Sequence, residues 1–333
     1  ILRNYRLSSS NIVVKVFFVG DNRNGGIVNI NGGISSEERM YVETIFTVSN
    51  FSPINSTPIL STPPIDKGAV GQPFIHNPGA WDPDGDSLSF ELIPSQSYLG
   101  SPDANGNPKV IDNYRFLDDP SFGNNITATI DPITGTLIWD APTQEGEYNI
   151  AIKVSEWRKG EKGGGYDRIG FVIRDMQIFI EKTNNTPPKL FIPNDTCVAS
   201  GTVLKSQFFT NDKEQDLVTM TEFSGAFEQG ANLVITKVPN RSDSLIANFT
   251  WDIPCNAVRN QAHFSIVKAI DNGQPELVDL KNWAITVFGK VPENLKGTPQ
   301  GKNIELSWDE YSCQDNGREA VDFLTIWRRS CDT

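Results

Sequence analysis

Apolar residues recur at every second position, in short runs, along most of this chain. Leu88, Phe90 and Leu92 share one face of an extended segment, and so do Ile150, Ile152 and Val154. Val172, Arg174, Met176, Ile178 and Ile180 repeat the pattern with one polar exception; Trp283, Ile285 and Val287, then Ile304, Leu306 and Trp308, continue it. A period of two places alternate side chains on opposite faces of a strand. No apolar stripe at helical spacing runs beyond about two turns. The 27 Gly and 21 Pro residues among 333 punctuate the runs, and both destabilise helix interiors. Many short strands broken by turns predict an all-β chain of tandem antiparallel β-sandwich domains.

Three stretches read as linkers: 51–65 (FSPINSTPILSTPPI), 183–193 (TNNTPPKLFIP) and 289–299 (GKVPENLKGTP). Each mixes Pro with Asn, Ser, Thr or Gly, which interrupts a strand ladder. They divide the chain into 1–56, 57–183, 184–289 and 290–333. The second and third pieces read as copies of one unit. Asp82-Pro83-Asp84-Gly85-Asp86 matches Asp212-Lys213-Glu214-Gln215-Asp216, Leu137-Ile138-Trp139-Asp140 matches Phe249-Thr250-Trp251-Asp252, and the strand end Lys153 to Glu156 matches Lys268 to Asp271. Thr62-Pro63-Pro64 is paired with Thr186-Pro187-Pro188 as the opening of each copy. Tandem repetition of a sandwich follows. Residues 1–52 hold only three or four strands and 290–333 two or three, so both ends read as partial domains of a longer protein, the first closing a preceding domain. Any secretion signal is expected to have been removed or to lie upstream of Ile1.

Charge is uneven. The chain carries 29 basic and 41 acidic side chains, a net charge of −12. The 57–183 piece alone has 10 basic and 18 acidic residues. No cluster of Lys and Arg forms the footprint that a nucleic acid needs, and the acidity favours cations instead. The most apolar stretch, Ile12 to Val19, contains Lys15 and falls far short of the ~20 residues of a spanning helix.

Cys197, Cys255, Cys313 and Cys331 form no C-x-x-C pair, and His76 and His263 are the only histidines. Tetrahedral zinc is therefore disfavoured. Two cysteines in each of two adjacent pieces fit Cys197–Cys255 and Cys313–Cys331 disulfides in an oxidising compartment; the alternative is four buried thiols. No G-x-S-x-G occurs and neither His stands in a triad context. Carboxylates suited to glycoside hydrolysis are numerous, but their separations are not readable in sequence. Lys159 to Gly165 (KGEKGGG) lies between strands and precedes no helix, so it reads as a hairpin loop and not a phosphate loop. Trp139 and Trp251, each before Asp-x-Pro, offer sugar-stacking faces; repetition at one strand position favours core packing for both, and Trp308 is expected inside the last domain's core. Asn-x-Ser/Thr sequons begin at Asn55, Asn125, Asn184, Asn194, Asn240 and Asn248; in so Asn- and Thr-rich a chain most arise by chance.

Gly71-Gln72-Pro73-Phe74, the Asp82–Asp86 run, Thr134-Gly135-Thr136-Leu137 and Gly146-Glu147-Tyr148-Asn149-Ile150 resemble Ig-like, cadherin-like repeats of bacterial surface proteins. The stretches WDAP…EGEYNIAIKVSEWR and FTWDIPC…FSIVKAIDNG resemble large secreted Bacteroidota proteins of the gliding-motility-associated type, which the type IX machinery exports. Pro292-Glu293-Asn294-Leu295 with Ile304-Glu305-Leu306-Ser307-Trp308 resembles the start of a fibronectin type III domain. Asp86-Ser87-Leu88 and Asp243-Ser244-Leu245 resemble the Asp-Ser/Thr-apolar O-glycosylation pattern of such proteins.

The sharpest chemistry is the acid cluster. Asp82, Asp84 and Asp86 on alternate positions of a tight turn repel one another unless a cation or solvent screens them, and Gly85 lets the backbone curl so their oxygens converge. Calcium takes 6–8 oxygens. By resemblance to cadherin-like domains, Glu156 completes the shell, and Asp212, Glu214, Asp216 and Asp271 form a weaker second site, with Gln215 in place of Gly and Lys213 adding positive charge. The competing reading is a good turn and nothing more: Pro sets φ, Asp caps, Gly takes positive φ. The resemblance implies a non-enzymatic extracellular structural or adhesion protein at the bacterial cell surface, a stalk, filament or adhesin, with possible Ca2+. Its partners would be other domains or copies of the chain, other surface proteins, or glycans. A carbohydrate- or protein-binding module of a surface complex and the non-catalytic arm of a secreted hydrolase are the alternatives.

Overall fold

A computed structural model of the chain describes residues 12–48, 55–98, 108–160 and 165–309. Regular structure consists of strands and short 3-10 turns, with no α-helix among the described residues. The protein is all-β, as its alternation predicts.

The first sandwich is built on a six-stranded sheet. Its main path runs Ile12–Asn22, Arg39–Val48, Tyr166–Glu181, Gly146–Lys159, Ser87–Ile93. A three-stranded sheet of Thr127–Ile130, Leu137–Asp140 and Phe74–His76 covers it. Phe74, Leu137 and Trp139 from the small sheet meet Tyr148, Ile150, Ile152, Val154, Met176, Ile178 and Ile180 from the large one in a single core. The alternating residues are thus the inward ones. Arg174, the polar exception, donates to the carbonyls of Leu60 and Thr62 at 3.1 and 2.5 Å.

Residues 12–48, expected to close a preceding domain, instead extend this sheet. Gly170, Phe171 and Val172 pair with Phe46, Ile45 and Thr44, while Gln177 to Glu181 on the same edge pair in parallel with Ile65 to Ala69. The linker breaks the chain but not the ladder, because one 16-residue strand offers an edge long enough for two partners. A buried polar network seals the junction. The Arg23 guanidinium takes Asp175 in a fork at 2.7 and 2.8 Å and reaches Asn149 at 3.2 Å, while Asn29 exchanges bonds with the Asn149 backbone at 2.7 and 2.9 Å.

The second sandwich packs Lys189–Phe191, Val203–Asn211, Ser244–Asp252 and Asn232–Lys237 against Thr196–Ala199, Val278–Phe288, His263–Ile270 and Thr219–Ser224. Phe208, Phe249, Trp251, Val267, Trp283 and Ile285 form its centre. Trp139 and Trp251 are both fully buried, which assigns them to the cores and removes them as sugar platforms. Trp308 differs from expectation. It is 39% exposed, and the strands before it, Lys296–Gln300 and Asn303–Ser307, form an exposed two-stranded ribbon that lacks a covering layer among the described residues.

Cys197 is a free, exposed thiol, so the expected Cys197–Cys255 bridge does not form. It sits on Thr196–Ala199, which pairs in parallel with Ile285 to Phe288, and Cys255 is disulfide-bonded elsewhere. Cys313, Cys331 and most of the 290–333 piece lie outside the described residues, as does 161–164 of the Gly-rich hairpin.

The two sandwiches meet where Gln261, Lys268 and Gly225 of the second approach Leu88, Asp66 and Trp81 of the first. Lys268 Nζ lies 2.5 Å from Asp66 Oδ1, and Asp66 Oδ2 lies 2.7 Å from His76 Nδ1, with all three side chains buried. Gln261 clips the backbone of Leu88, accepting from its N–H at 2.8 Å and donating to its carbonyl at 3.0 Å. A Cβ on Gly225 would stand 2.9 Å from the Trp81 ring, so a glycine lets the indole seat.

Candidate cation site

The Asp82–Asp86 turn links Ala80–Trp81 to Ser87–Ile93. Asp82 shapes it: its Oδ1 accepts from the N–H of Asp84 at 2.8 Å and of Asp86 at 3.0 Å. Gly85, at φ 82°, makes the left-handed step that a Cβ would oppose. As a result, oxygens of Asp82, Asp84 and Asp86 lie within 4.8 Å of one another. Asp84 Oδ2 also accepts from the N–H of Ser56 at 2.5 Å, which ties the first linker to the turn.

Glu156 arrives from the neighbouring strand. It stands opposite Leu88 on one side and Gly170 on the other, at a register break that leaves Ile169 unmatched. Glycine is needed opposite, since a Cβ on Gly170 would lie 3.1 Å from Glu156 Oε2 and 2.8 Å from the Ile45 carbonyl. Glu156 is fully buried, and neither carboxylate oxygen has a hydrogen-bond partner among the described residues. Asp82, 3% exposed, likewise leaves Oδ2 without one. A buried ionised carboxylate without partners is costly. Burial, reinforced by the Asp82 charge, pushes Glu156 up to about 8. Burial, with Asp86 and Asp84 adding repulsion against the opposing backbone bonds, pushes Asp82 up to about 6. Asp86 is matched differently: Arg158 Nε donates to its Oδ1 at 2.8 Å, Nη2 donates to its Oδ2, and Nη2 also reaches Asn55 Oδ1 at 2.5 Å.

Of the four acids named from the first repeat, Asp82, Asp84 and Asp86 converge, while Glu156 stands on the neighbouring strand, near enough for the Asp82 and Asp86 charges to act on it. Asn55, Arg158 and Gly170 were missed. Asn55 carried a signal, because Asn185 follows it by 130 residues, the offset that also relates Asp82, Asp84 and Asp86 to Asp212, Glu214 and Asp216. The linker residues that repeat with the acid turn are thus Asn55-Ser56 and Asn185-Thr186, not the two Thr-Pro-Pro runs.

The second copy reproduces the turn without the convergence. Asp212 Oδ1 accepts from the Asp216 N–H at 2.9 Å, and Gln215 takes φ 68° where Gly85 stood. Asp271 has both oxygens engaged, by the N–H groups of Gly273 and Leu277 and by Asn185 Nδ2 at 3.0 Å. Glu214 turns to the Thr186 hydroxyl at 2.9 Å. Burial raises both Asp212 and Asp271. Among the described residues, Asp82, Asp84 and Asp86 form the one group of three or more potential ligands that close together. Of the two Asp-Ser-Leu sites, Ser244 is fully buried and so closed to modification in the folded chain, and Ser87 is half-buried.

No protein-family profile matches the chain, and no curated protein sequence matches it. Among solved structures, the sialic acid binding region of a Streptococcus sanguinis SK1 adhesin, bound to 3'sLn, is similar at TM-score 0.27 and 10% identity, over 73% of this chain and 81% of that one. The cis-dimer of protocadherin gammaB7 EC3-6 is similar at TM-score 0.24 and 14% identity, over 77% of this chain and 55% of that one. Mouse cadherin-23 EC22-24 gives TM-score 0.23 and 11% identity, over 83% and 86%. These likenesses are too distant to carry an argument about this chain, whose β-sandwich architecture stands on its own sheets and cores.

Proposed function

We propose that this chain is part of a non-enzymatic extracellular structural or adhesion protein, a stalk, filament or adhesin, stiffened by a divalent cation. Asp82, Asp84, Asp86 and Glu156 hold the ion, and calcium is the cation whose all-oxygen, irregular shell such a group suits. The observation that carries this reading is Glu156: a fully buried carboxylate, without hydrogen-bond partners among the described residues, set behind three converging acids. An ion there would join the first linker, through Asn55 and Ser56, to the acid turn and to the strand Gly146–Lys159. Asp212, Glu214, Asp216 and Asp271 would form a weaker second site only if Glu214 and Asp271 gave up the bonds they make to Thr186, Asn185 and the backbone.

The sequence resemblance supports a Bacteroidota cell-surface setting, export by the type IX route and a fibronectin type III-like last piece. Partners on this reading are further domains or copies of the chain and other surface proteins; a glycan would have to meet residues other than Trp139 and Trp251.

Thermal unfolding of the full chain in calcium and in chelator tests the reading. Calcium should raise the midpoint of the transition, and Glu156→Gln should remove most of that rise while leaving the fold intact. An unchanged midpoint at millimolar calcium, the range of extracellular calcium modules at about 10⁻⁴–10⁻³ M, would overturn it.

A further inference from the structure

The acid cluster already contains a cation, and it is covalently tethered. Arg158 follows Glu156 by two residues, across the register break, and its guanidinium holds both oxygens of Asp86 and the amide oxygen of Asn55. Apart from Asp82 Oδ1 and the Asp84 carboxylate, which accept backbone N–H bonds, the oxygens around the cluster fall into two sets. Asp82 Oδ2 and the two oxygens of Glu156 have no hydrogen-bond partner among the described residues. Asp86 Oδ1 and Oδ2 and Asn55 Oδ1 belong to Arg158. Three oxygens from each set make six, the lower end of calcium's shell of about 6–8. An ion that left Arg158 in place would have to draw half of that shell from Asp84, backbone or water. The guanidinium can leave, because its side chain is 20% exposed at the rim, whereas the Asp86 side chain is 8% exposed.

We infer that Arg158 is a built-in competitor for the cation site, holding Asp86 and Asn55 when no ion is bound and setting the calcium concentration at which they are surrendered. The inference rests on the cation reading above. Two consequences follow from charge and geometry. Without ion, Arg158 offsets part of the repulsion among the acids and keeps the turn shaped. With ion, a fixed positive charge a few ångströms away opposes binding, and a forked donor must give up bidentate bonds that a carboxylate favours.

Calcium titrations by calorimetry on the full chain and on Arg158→Gln and Arg158→Lys test it. Arg158→Gln should bind calcium about ten-fold more tightly or better, since a unit charge beside the site is removed, and should unfold at lower temperature in chelator. Arg158→Lys keeps the charge and should stay nearer the unsubstituted affinity. If Arg158→Gln binds no tighter than the unsubstituted chain, this inference falls and the cation reading survives. If none of the three binds calcium at millimolar concentration, the cation reading falls and this inference with it. A readout on the unsubstituted protein covers the case of a variant that does not fold: the Arg158 Nε–H resonance should lose its protection from solvent exchange as calcium saturates. Retained protection at saturation would equally overturn the competitor role.

Discussion

Single side chains set the pH response. Glu156 at about 8, Asp82 at about 6 and Glu222 at about 7 are all carboxyls raised by burial, the last aided little by its one bond from the Ser265 hydroxyl. In each case the folded protein binds its proton more tightly than the unfolded chain does. Stability from these groups is therefore full below the ordinary carboxylate range near 4–4.5 and is lost as pH rises through the folded values. Ion-free protein should lose thermal stability between about pH 4.5 and 8, and Glu156→Gln with Glu222→Gln should flatten that slope in a pH series of unfolding midpoints. Calcium binding should release protons across the same window and strengthen as pH rises, which calorimetry in buffers of different ionisation enthalpy reads directly.

At the scale of elements, two junctions decide how the first strands belong to the fold. Gly170 lies where Tyr166–Glu181 passes Arg39–Val48, with the Ile45 carbonyl 2.8 Å from the position of a Cβ. Gly170→Ala should cost about 1–3 kcal/mol by overpacking and displace both Glu156 and the Arg39–Val48 strand, measured by denaturant unfolding and by calcium affinity. Arg23 and Asp175, with side chains 2% and 3% exposed, form a buried pair. Arg23→Met should cost about 3–5 kcal/mol because Asp175 is left charged and buried, whereas Arg23→Met with Asp175→Leu should recover much of that loss. A small effect from the single substitution would mean that residues 12–48 are not integral to the sandwich.

Across the whole molecule, Asp66 joins two sandwiches. Burial by itself would raise its pKa, yet His76 and Lys268 hold it below the usual carboxylate range. Burial keeps the His76 imidazole below its own range, so it is neutral and donates to Asp66 from Nδ1. Lys268→Met removes the charge that reaches across from the second sandwich. One cooperative unfolding transition should then separate into two in calorimetry, since what remains is neutral hydrogen bonds such as the Gln261 clip on Leu88 and an exposed Lys67–Glu276 pair 3.9 Å apart. A single sharp transition at an unchanged midpoint would refute the latch.

Much of this was legible in order along the chain, because it is local. A period of two made strands, Gly and Pro marked their ends, repetition at offsets of 112 to 130 marked the unit, and alternate Asp residues around a Gly marked a turn able to gather oxygens. Even Trp139 and Trp251 announced themselves as core by recurring at one strand position. What no local pattern contains is which strands from distant parts of the chain lie edge to edge. That choice placed Glu156 behind Asp82, put Arg158 on Asp86 and Asn55, docked Ile12–Asn22 and Arg39–Val48 onto the next unit, and left Cys197 without Cys255. The two acid turns have nearly the same sequence pattern and backbone, yet one gathers its carboxylates and the other spends them on Thr186, Asn185 and nearby amides. Turn chemistry is settled within a few residues, whereas what stands behind a turn is settled by what the neighbouring strand brings to it.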